Sequence, residues 1–217
     1  MPSTEPSPTA DARAWVPNAL TLARVALAAG VIVALALYDH PAGPTRALPT
    51  AGGLFILAAL TDALDGHLAR RWGVVSRFGR VMDPFADKAL ILGSFVMLAG
   101  PNFAGADGRP VTGVEPWMVV LLLARELLVT SIRGVMEGAG VEFGANRSGK
   151  AKMILQSVAA PAILALLWLG PRDALLDPAP RVRGVILTVV WLTVVVTVMS
   201  GAPYVWAAGR TGPSGRA

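Results

Sequence analysis

The chain has 217 residues, of which 54% are hydrophobic and only 15% are charged. Soluble domains carry about a quarter charged residues, so this composition, with a mean hydropathy of +0.57, indicates a membrane protein. The absence of cysteine excludes disulfides, thiol catalysis and cysteine metal sites. The net charge of +5 comes from short basic clusters between apolar runs, which favours an anionic membrane surface over nucleic acid as the partner.

Six apolar segments have about the length that a membrane-spanning helix needs, roughly 20 residues. They cover residues 18–38, 48–68, 82–100, 117–135, 153–169 and 185–207. Because lipid offers the backbone no hydrogen-bond partner, we predict an all-α, polytopic membrane protein with a bundle of six transmembrane helices. A disordered lead-in over residues 1–14, a membrane catalytic domain over 15–209 and a short tail over 210–217 are the predicted divisions of the chain.

The distribution of basic residues predicts the orientation of the bundle. If the amino terminus is cytoplasmic, ten lysines and arginines lie at inside ends and five in outside connectors. Basic residues accumulate on the cytoplasmic side of membrane proteins, so we expect both termini, and the acidic residues described next, to face the cytoplasm at the cell membrane. The content of Ala, Gly and Arg suits a GC-rich bacterium.

Four carboxylates interrupt the second and third segments. Asp62 and Asp65 lie at the end of the second, and Asp83 and Asp87 at the start of the third. A charged side chain at the centre of a bilayer costs about 2.5–3.5 kcal/mol on insertion scales, so four of them require compensation.

Helical spacing predicts how these carboxylates meet. Asp62 and Asp65 share a face with Gly66 and Ala69, while Gly79, Asp83 and Asp87 share a face of the next helix. If the turn between these helices is short, the two acidic faces converge. Oxygen ligands without His or Cys suit Mg²⁺ or Mn²⁺, and two such ions could clamp a phosphate chain. The small residues leave room for a nucleotide diphosphate, and Arg70 could neutralise a phosphate oxygen.

This pattern resembles the signature of the CDP-alcohol phosphatidyltransferase family. Eight positions of the signature are matched over 26 residues: Asp62, Asp65, Gly66, Ala69, Arg70, Gly79, Asp83 and Asp87. The resemblance implies a six-helix, usually dimeric enzyme with two divalent ions. It further implies direct transfer of a phosphatidyl group from CDP-diacylglycerol to an alcohol, with release of CMP.

The resemblance also implies roles for individual residues. Asp87 is the expected general base on the acceptor hydroxyl, and the aspartates together hold the metal ions. The residues expected around the cytidine and diphosphate are Asn18, Asp65, Gly66, Ala69, Arg70, Ser76 and Gly79. For Asn18, a role as the N-cap of the first helix is an equally good reading.

Three further stretches resemble the branch of the family whose acceptor is glycerol 3-phosphate. They run from Pro17 to Arg24, from Asp83 to Lys88, and from Ala124 through Arg133 to Gln156. The third stretch gathers Arg125, Arg133 and Lys150 without an equal number of acids, as a phosphorylated acceptor requires. We therefore predict that these three side chains bind the acceptor phosphate, although Lys150 could instead be an ordinary positive-inside residue.

Two other acceptors and one other class of protein remain open. Inositol phosphate would use the same cations, and phosphatidylglycerol is the acceptor of a sister transferase. A cation transporter also buries acidic residues in helices, but usually near the midplane and with internal repeats, and this sequence shows no repeat.

Overall fold

The computed structural model describes residues 8–41, 46–72, 77–140, 147–171 and 177–210. Side chains are described over 18–41, 46–64, 79, 81–140, 149, 151–171 and 177–209. The described residues form six long α-helices and no β-strand, which confirms the all-α prediction. The helices are α1 (Pro8–Ala36), α2 (Ala47–Trp72), α3 (Arg77–Leu98), α4 (Pro116–Gly138), α5 (Arg147–Leu169) and α6 (Pro180–Arg210).

Most helices extend past the apolar segments from which they are predicted. Helices α1, α3, α5 and α6 begin five to ten residues before their predicted segments, because backbone hydrogen bonding continues where the side chains become polar. Helix α1 begins at Pro8, within the segment predicted as a lead-in, while residues 1–7 and the tail 211–217 lie outside the described residues.

Fewer of the described helices than the six predicted have the length and composition of a membrane span. Four helices are long and apolar enough to cross a membrane, over residues 18–36, 47–64, 151–169 and 180–209. Helices α3 and α4 do not qualify, since every 18-residue stretch of either contains at least three charged residues. Every such stretch of α3 includes Asp83, Asp87 and Lys88, and every such stretch of α4 includes Arg125, Glu126 and Arg133.

Local sequence explains where α4 begins and ends. Pro116 occupies the first helical position after Glu115, whose backbone is extended; proline is favoured there because that N–H needs no helical partner. At the other end, Gly140 has φ +76, and the N–H groups of Ala139 and Gly140 bond back to carbonyls of the last turn. A left-handed glycine after a helix is a common stop signal.

The six helices pack around an apolar core. Helix α1 packs against α2 and α3, α5 lies against α2 and α6, and α4 packs on α6. The apolar core between them includes Val31, Phe55, Phe95, Leu122 and Ile163, all buried.

At the end of the bundle opposite to the acidic residues, buried hydrogen bonds connect three parts of the chain. The His40 ring lies 2.9 Å from the carboxylate of Asp177 and 3.0 Å from the Tyr38 hydroxyl. The amide of Asn102, in the connector after α3, donates to the carbonyl oxygens of Leu35 and Tyr38. These contacts join the end of α1, the α3–α4 connector and the residues before α6.

Candidate active site

Arg24 of α1 joins the carboxylates of α2 and α3. Its guanidinium Nη1 lies 2.8 Å from Asp62 Oδ1 and 3.9 Å from Asp83 Oδ1. The Arg24 side chain is only 1% exposed, whereas those of Asp62 and Asp83 are 57% and 45% exposed. The hydroxyl of Thr21, one helical turn before Arg24, donates to Asp83 Oδ1 at 2.7 Å. Because both carboxylates approach the same nitrogen, they converge on one small volume.

Asp87 lies one turn after Asp83 in α3 and is half-buried. It is close enough to Asp62 and Glu126, and to the cations Arg24 and Lys152, for their charges to act on it. The third carboxylate therefore lies near the first two, among charged residues of α1, α2, α4 and α5.

For several predicted site residues, the side chain or the whole residue lies outside the part of the chain that the structure describes. The backbone of Asp65, Gly66, Ala69 and Arg70 continues α2, but their side chains are not described, and Ser76 lies outside the described residues altogether. Gly79 is buried in the first turn of α3, and Asn18 is half-buried in α1, one turn before Thr21. Their proposed contacts with a nucleotide stay predictions.

A second polar cluster joins α4, α5 and α6. Both Arg125 Nη1, at 2.8 Å, and the ammonium group of Lys152 bond to the same oxygen of Glu126. A second nitrogen of Arg125 donates to the Ser200 hydroxyl at 3.0 Å. The three charged side chains are 7–12% exposed, so this buried cluster holds two cations against one carboxylate.

The remaining predicted acceptor residues differ from Arg125 in their surroundings. Arg133 is half-exposed and lies 3.4 Å from Glu137, one turn along α4. The backbone of Lys150 lies in α5, but its side chain is not described. The structure thus shows buried cationic character at Arg125 and Lys152, and it shows Arg133 in an exposed ion pair.

Sequence reasoning missed the polar face of α6. Thr193, Thr197 and Ser200 are buried, and Thr197 accepts a hydrogen bond from the buried amide of Gln156 at 3.1 Å. Their spacing of four and three residues places them on one helical face. That spacing is a signal visible in the sequence. The ion pairs of Arg24 were missed as well, although this residue belongs to the first of the three stretches quoted above.

The acidic site suits a divalent cation by its chemistry. The donors are carboxylate oxygens from two helices, and a buried guanidinium already supplies positive charge between two of them. Among the side chains that the structure describes, no group of three or more acidic or histidine residues is close enough to hold a metal ion. Asp65, the fourth carboxylate, is not among those side chains. Carboxylate oxygens are the donor type that Mg²⁺ and Mn²⁺ prefer in proteins.

Fold and site together define a helical membrane enzyme with an acidic site, built around a buried guanidinium, at one end of its bundle. The family model described as CDP-alcohol phosphatidyltransferase matches residues 14–199. The chain belongs to this family, and it is accordingly a transferase.

Curated relatives cover most of the chain. A protein of Bacillus subtilis (strain 168), named CDP-diacylglycerol–glycerol-3-phosphate 3-phosphatidyltransferase, is 34% identical over 90% of this chain and 97% of its own length. Proteins of the same name from Cereibacter sphaeroides and Rickettsia felis are 35% and 32% identical. Their alignments cover 71% and 87% of this chain, and 63% and 92% of their own lengths.

A solved structure has the same fold. The crystal structure of the Mycobacterium tuberculosis phosphatidylinositol phosphate synthase in apo form superposes with a TM-score of 0.60, over 96% of this chain and 97% of the other. The two sequences are 21% identical, so this likeness supports the six-helix architecture and carries no information about the acceptor.

Proposed function

We propose that this enzyme transfers the phosphatidyl group of CDP-diacylglycerol to sn-glycerol 3-phosphate. The products are phosphatidylglycerophosphate and CMP, and the reaction belongs to phospholipid biosynthesis. The convergence of Asp62 and Asp83 on Arg24, with Asp87 nearby, is the observation that carries the proposal. The names of the relatives, which are 30–35% identical over most of the chain, support glycerol 3-phosphate as the acceptor.

The chemistry follows from the acidic site. The acceptor hydroxyl is a poor nucleophile until it loses its proton, and Asp87 is the proposed general base. The hydroxyl oxygen then forms a bond to the phosphorus that carries the diacylglycerol, while the bond from that phosphorus to the oxygen of CMP breaks. Asp62, Asp65, Asp83 and Asp87 would hold two Mg²⁺ or Mn²⁺ ions, which supply positive charge to the diphosphate when bound.

The nucleotide would lie beside this acidic site. Gly79 is buried where α3 begins, and the absence of a side chain there favours a close approach of the backbone to phosphate. Asn18 of α1 and the end of α2, with Asp65, Gly66, Ala69 and Arg70, complete the proposed cytidine and diphosphate site, together with Ser76.

The buried cluster of α4–α6 supports a phosphorylated acceptor. Arg125 and Lys152 share one carboxylate, which leaves a surplus of positive charge. In addition, the buried Nε of Arg125 has no hydrogen-bond partner among the described residues. An anionic ligand would satisfy that N–H and balance the charge. We propose that Arg125, with Arg133 and Lys150, binds the phosphate of glycerol 3-phosphate.

The proposed topology follows from the same residues. We propose that all six helices cross the membrane, with the charges of α3 and α4 facing the interior of the bundle. The acidic site then faces the cytoplasm of a bacterial cell, as the basic residues near it favour. A homodimer in a lipid bilayer is the proposed assembly.

The decisive experiment is an acceptor assay on the purified protein. CMP release from CDP-diacylglycerol is measured with glycerol 3-phosphate, inositol phosphate or phosphatidylglycerol as the sole acceptor, and the lipid product is identified by mass spectrometry. We expect phosphatidylglycerophosphate only from the first mixture. CMP release with inositol phosphate or phosphatidylglycerol alone would overturn the acceptor. Cation flux in liposomes without any turnover of CDP-diacylglycerol would overturn the whole assignment.

A further inference from the structure

A cavity of about 500 Å³ lies at the end of the bundle opposite to the acidic site. The connector after α3 and the first turns of α4 and α6 form its walls. Its charged lining side chains are Arg109, Glu115 and Arg183, and its apolar ones include Trp117, Leu187 and Trp191. The proposed reaction uses none of these residues.

The wall that α6 contributes changes from charged to apolar along one helical face. Arg183, Leu187 and Trp191 are each four residues apart, so they lie above one another at intervals of about 6 Å. The Trp191 ring packs against that of Trp117 in α4, with 5.8 Å between the ring centres. Both rings are about half-exposed, at 48% each. A polar rim above tryptophans at the start of membrane helices matches the level of phospholipid headgroups.

The charges at the rim are fixed by a tight turn. The N–H of Gly105 donates to the carbonyl of Arg109 at 2.8 Å, and the N–H of Arg109 donates to Asp107 Oδ1 at 2.9 Å. Asp107 also accepts a hydrogen bond of 2.7 Å from Arg183, which holds the pKa of this carboxyl below its ordinary value. The carboxylate of Asp107 therefore offsets much of the charge of Arg183, to which it is hydrogen-bonded, while its charge acts on Arg109 only without such a side-chain bond.

Two opposite charges remain in the lining. Among the described residues, neither Arg109 nor Glu115 forms an ion pair, and the side chain of Glu115 makes no capping hydrogen bond to α4. The cavity thus presents one cation and one anion that do not pair with each other, above an apolar floor. A ligand that complements it carries a phosphate, an ammonium group and a hydrocarbon chain.

We propose that this cavity binds a zwitterionic phospholipid of the phosphoethanolamine type. The phosphate would contact Arg109, the ammonium group Glu115, and the upper part of an acyl chain the paired rings of Trp117 and Trp191. The site is independent of the proposed reaction, because its residues lie at the other end of the bundle.

The test is photo-crosslinking of delipidated protein with phosphatidylethanolamine that carries a diazirine near the headgroup. We expect crosslinks to peptides that span residues 105–118 and 183–191. Arg109→Gln should reduce them about ten-fold, the loss of one charged contact. Arg181→Gln, in the first turn of α6 but outside the cavity lining, is the matched control and should leave the yield unchanged. Thermal unfolding of each variant checks that it folds.

Glu115→Gln separates the two headgroup contacts. It should weaken labelling by phosphatidylethanolamine but not by a phosphatidylglycerol probe, which has no ammonium group. Equal effects of Arg109→Gln and Arg181→Gln, or labelling spread evenly over the helices, would overturn the site. If water-soluble glycerophosphoethanolamine competes as well as the lipid does, the contact with the acyl chain is refuted and the ligand is not a membrane lipid.

Discussion

Arg24 Nη1 lies 2.8 Å from Asp62 Oδ1, and this contact joins a buried cation of α1 to a half-exposed carboxylate of α2. A guanidinium that is 1% exposed needs anionic partners, and Asp62 and Asp83 supply them. Conversely, the two carboxylates repel each other less with that cation between them. Arg24 therefore lies on the buried side of the two carboxylates, where it can hold the acidic site together.

Replacing this cation should disturb both the site and the fold. We expect Arg24→Gln to reduce transferase activity at least ~100-fold, as the loss of a positioning contact can. It should also lower the free energy of unfolding by about 1.5–3 kcal/mol, the range for polar contacts that involve a charged group. Arg24→Lys should recover part of both. Activity is followed by CMP release, and stability by thermal unfolding in detergent. An exposed control, Arg46→Gln, should change neither quantity, and equal behaviour of the two variants would refute the role of Arg24.

The proposed general base is tested by Asp87→Asn. The amide has nearly the same shape but cannot accept the proton, so the rate should fall by about 10²–10⁴-fold. The variant should insert into membranes and unfold near the temperature of the unmodified protein, because the amide keeps the packing. Asp39→Asn, at an exposed position near the other end of α1, is the control. A variant that turns over at a comparable rate would exclude Asp87 as the base.

The buried cluster of α4–α6 predicts a large loss of stability for Glu126→Gln. The change leaves Arg125 and Lys152 buried without their shared counter-charge, which typically costs about 3–5 kcal/mol. Adding Lys152→Met to that variant removes one of the stranded cations and should restore part of the stability. The matched control is Glu137→Gln, because the Arg133–Glu137 pair is about half-exposed and worth less than ~1 kcal/mol. A smaller loss for Glu126→Gln than for the control would contradict the structural role of the cluster.

Metal dependence provides a prediction with two separate measurements. A chelator should abolish CMP release, and Mg²⁺ or Mn²⁺ should restore it. Without substrate, the same ions should raise the unfolding temperature, since a ligand that binds the folded state stabilises it. In Asp62→Asn the rise should shrink. Calcium, with its looser coordination, should stabilise without supporting good turnover. Full activity in chelator would exclude the metal from the reaction.

Periodicity and hydropathy were sufficient to predict the six helices. The helix ends were harder to predict, because α1, α3, α5 and α6 begin several residues before their apolar segments. Membrane crossing was predicted for six segments, while composition supports it for four. The difference arises from the residues that carry the proposed chemistry: Asp83, Asp87 and Lys88 make α3 too polar, and Arg125, Glu126 and Arg133 do the same to α4.

The acidic site was predictable in part. Helical spacing and the short connection between α2 and α3 predicted that Asp62 and Asp83 approach each other, and the structure places both beside Arg24. The guanidinium itself was not predicted as their partner, because it comes from a helix 38 residues earlier in the chain than Asp62. For the same reason, the contact of Arg125 with Ser200 required the packing of α4 on α6. Pairings between distant helices depend on tertiary packing, which one sequence does not reveal.

The charged side chains of α3 and α4 have a consequence for biogenesis. Inserting either helix into lipid by itself would be costly, at about 2.5–3.5 kcal/mol for a charge at its centre. In the folded protein, Asp83 of α3 contacts Arg24 of α1, and Arg125 of α4 contacts Ser200 of α6. If α3 and α4 cross the membrane as proposed, α1 should stay beside the translocon until α3 has been synthesised, and α4 should reach its final depth only after α6 has been synthesised. We therefore expect quality-control proteases to degrade a truncated chain that ends before α6, because its α4 lacks its partner helix.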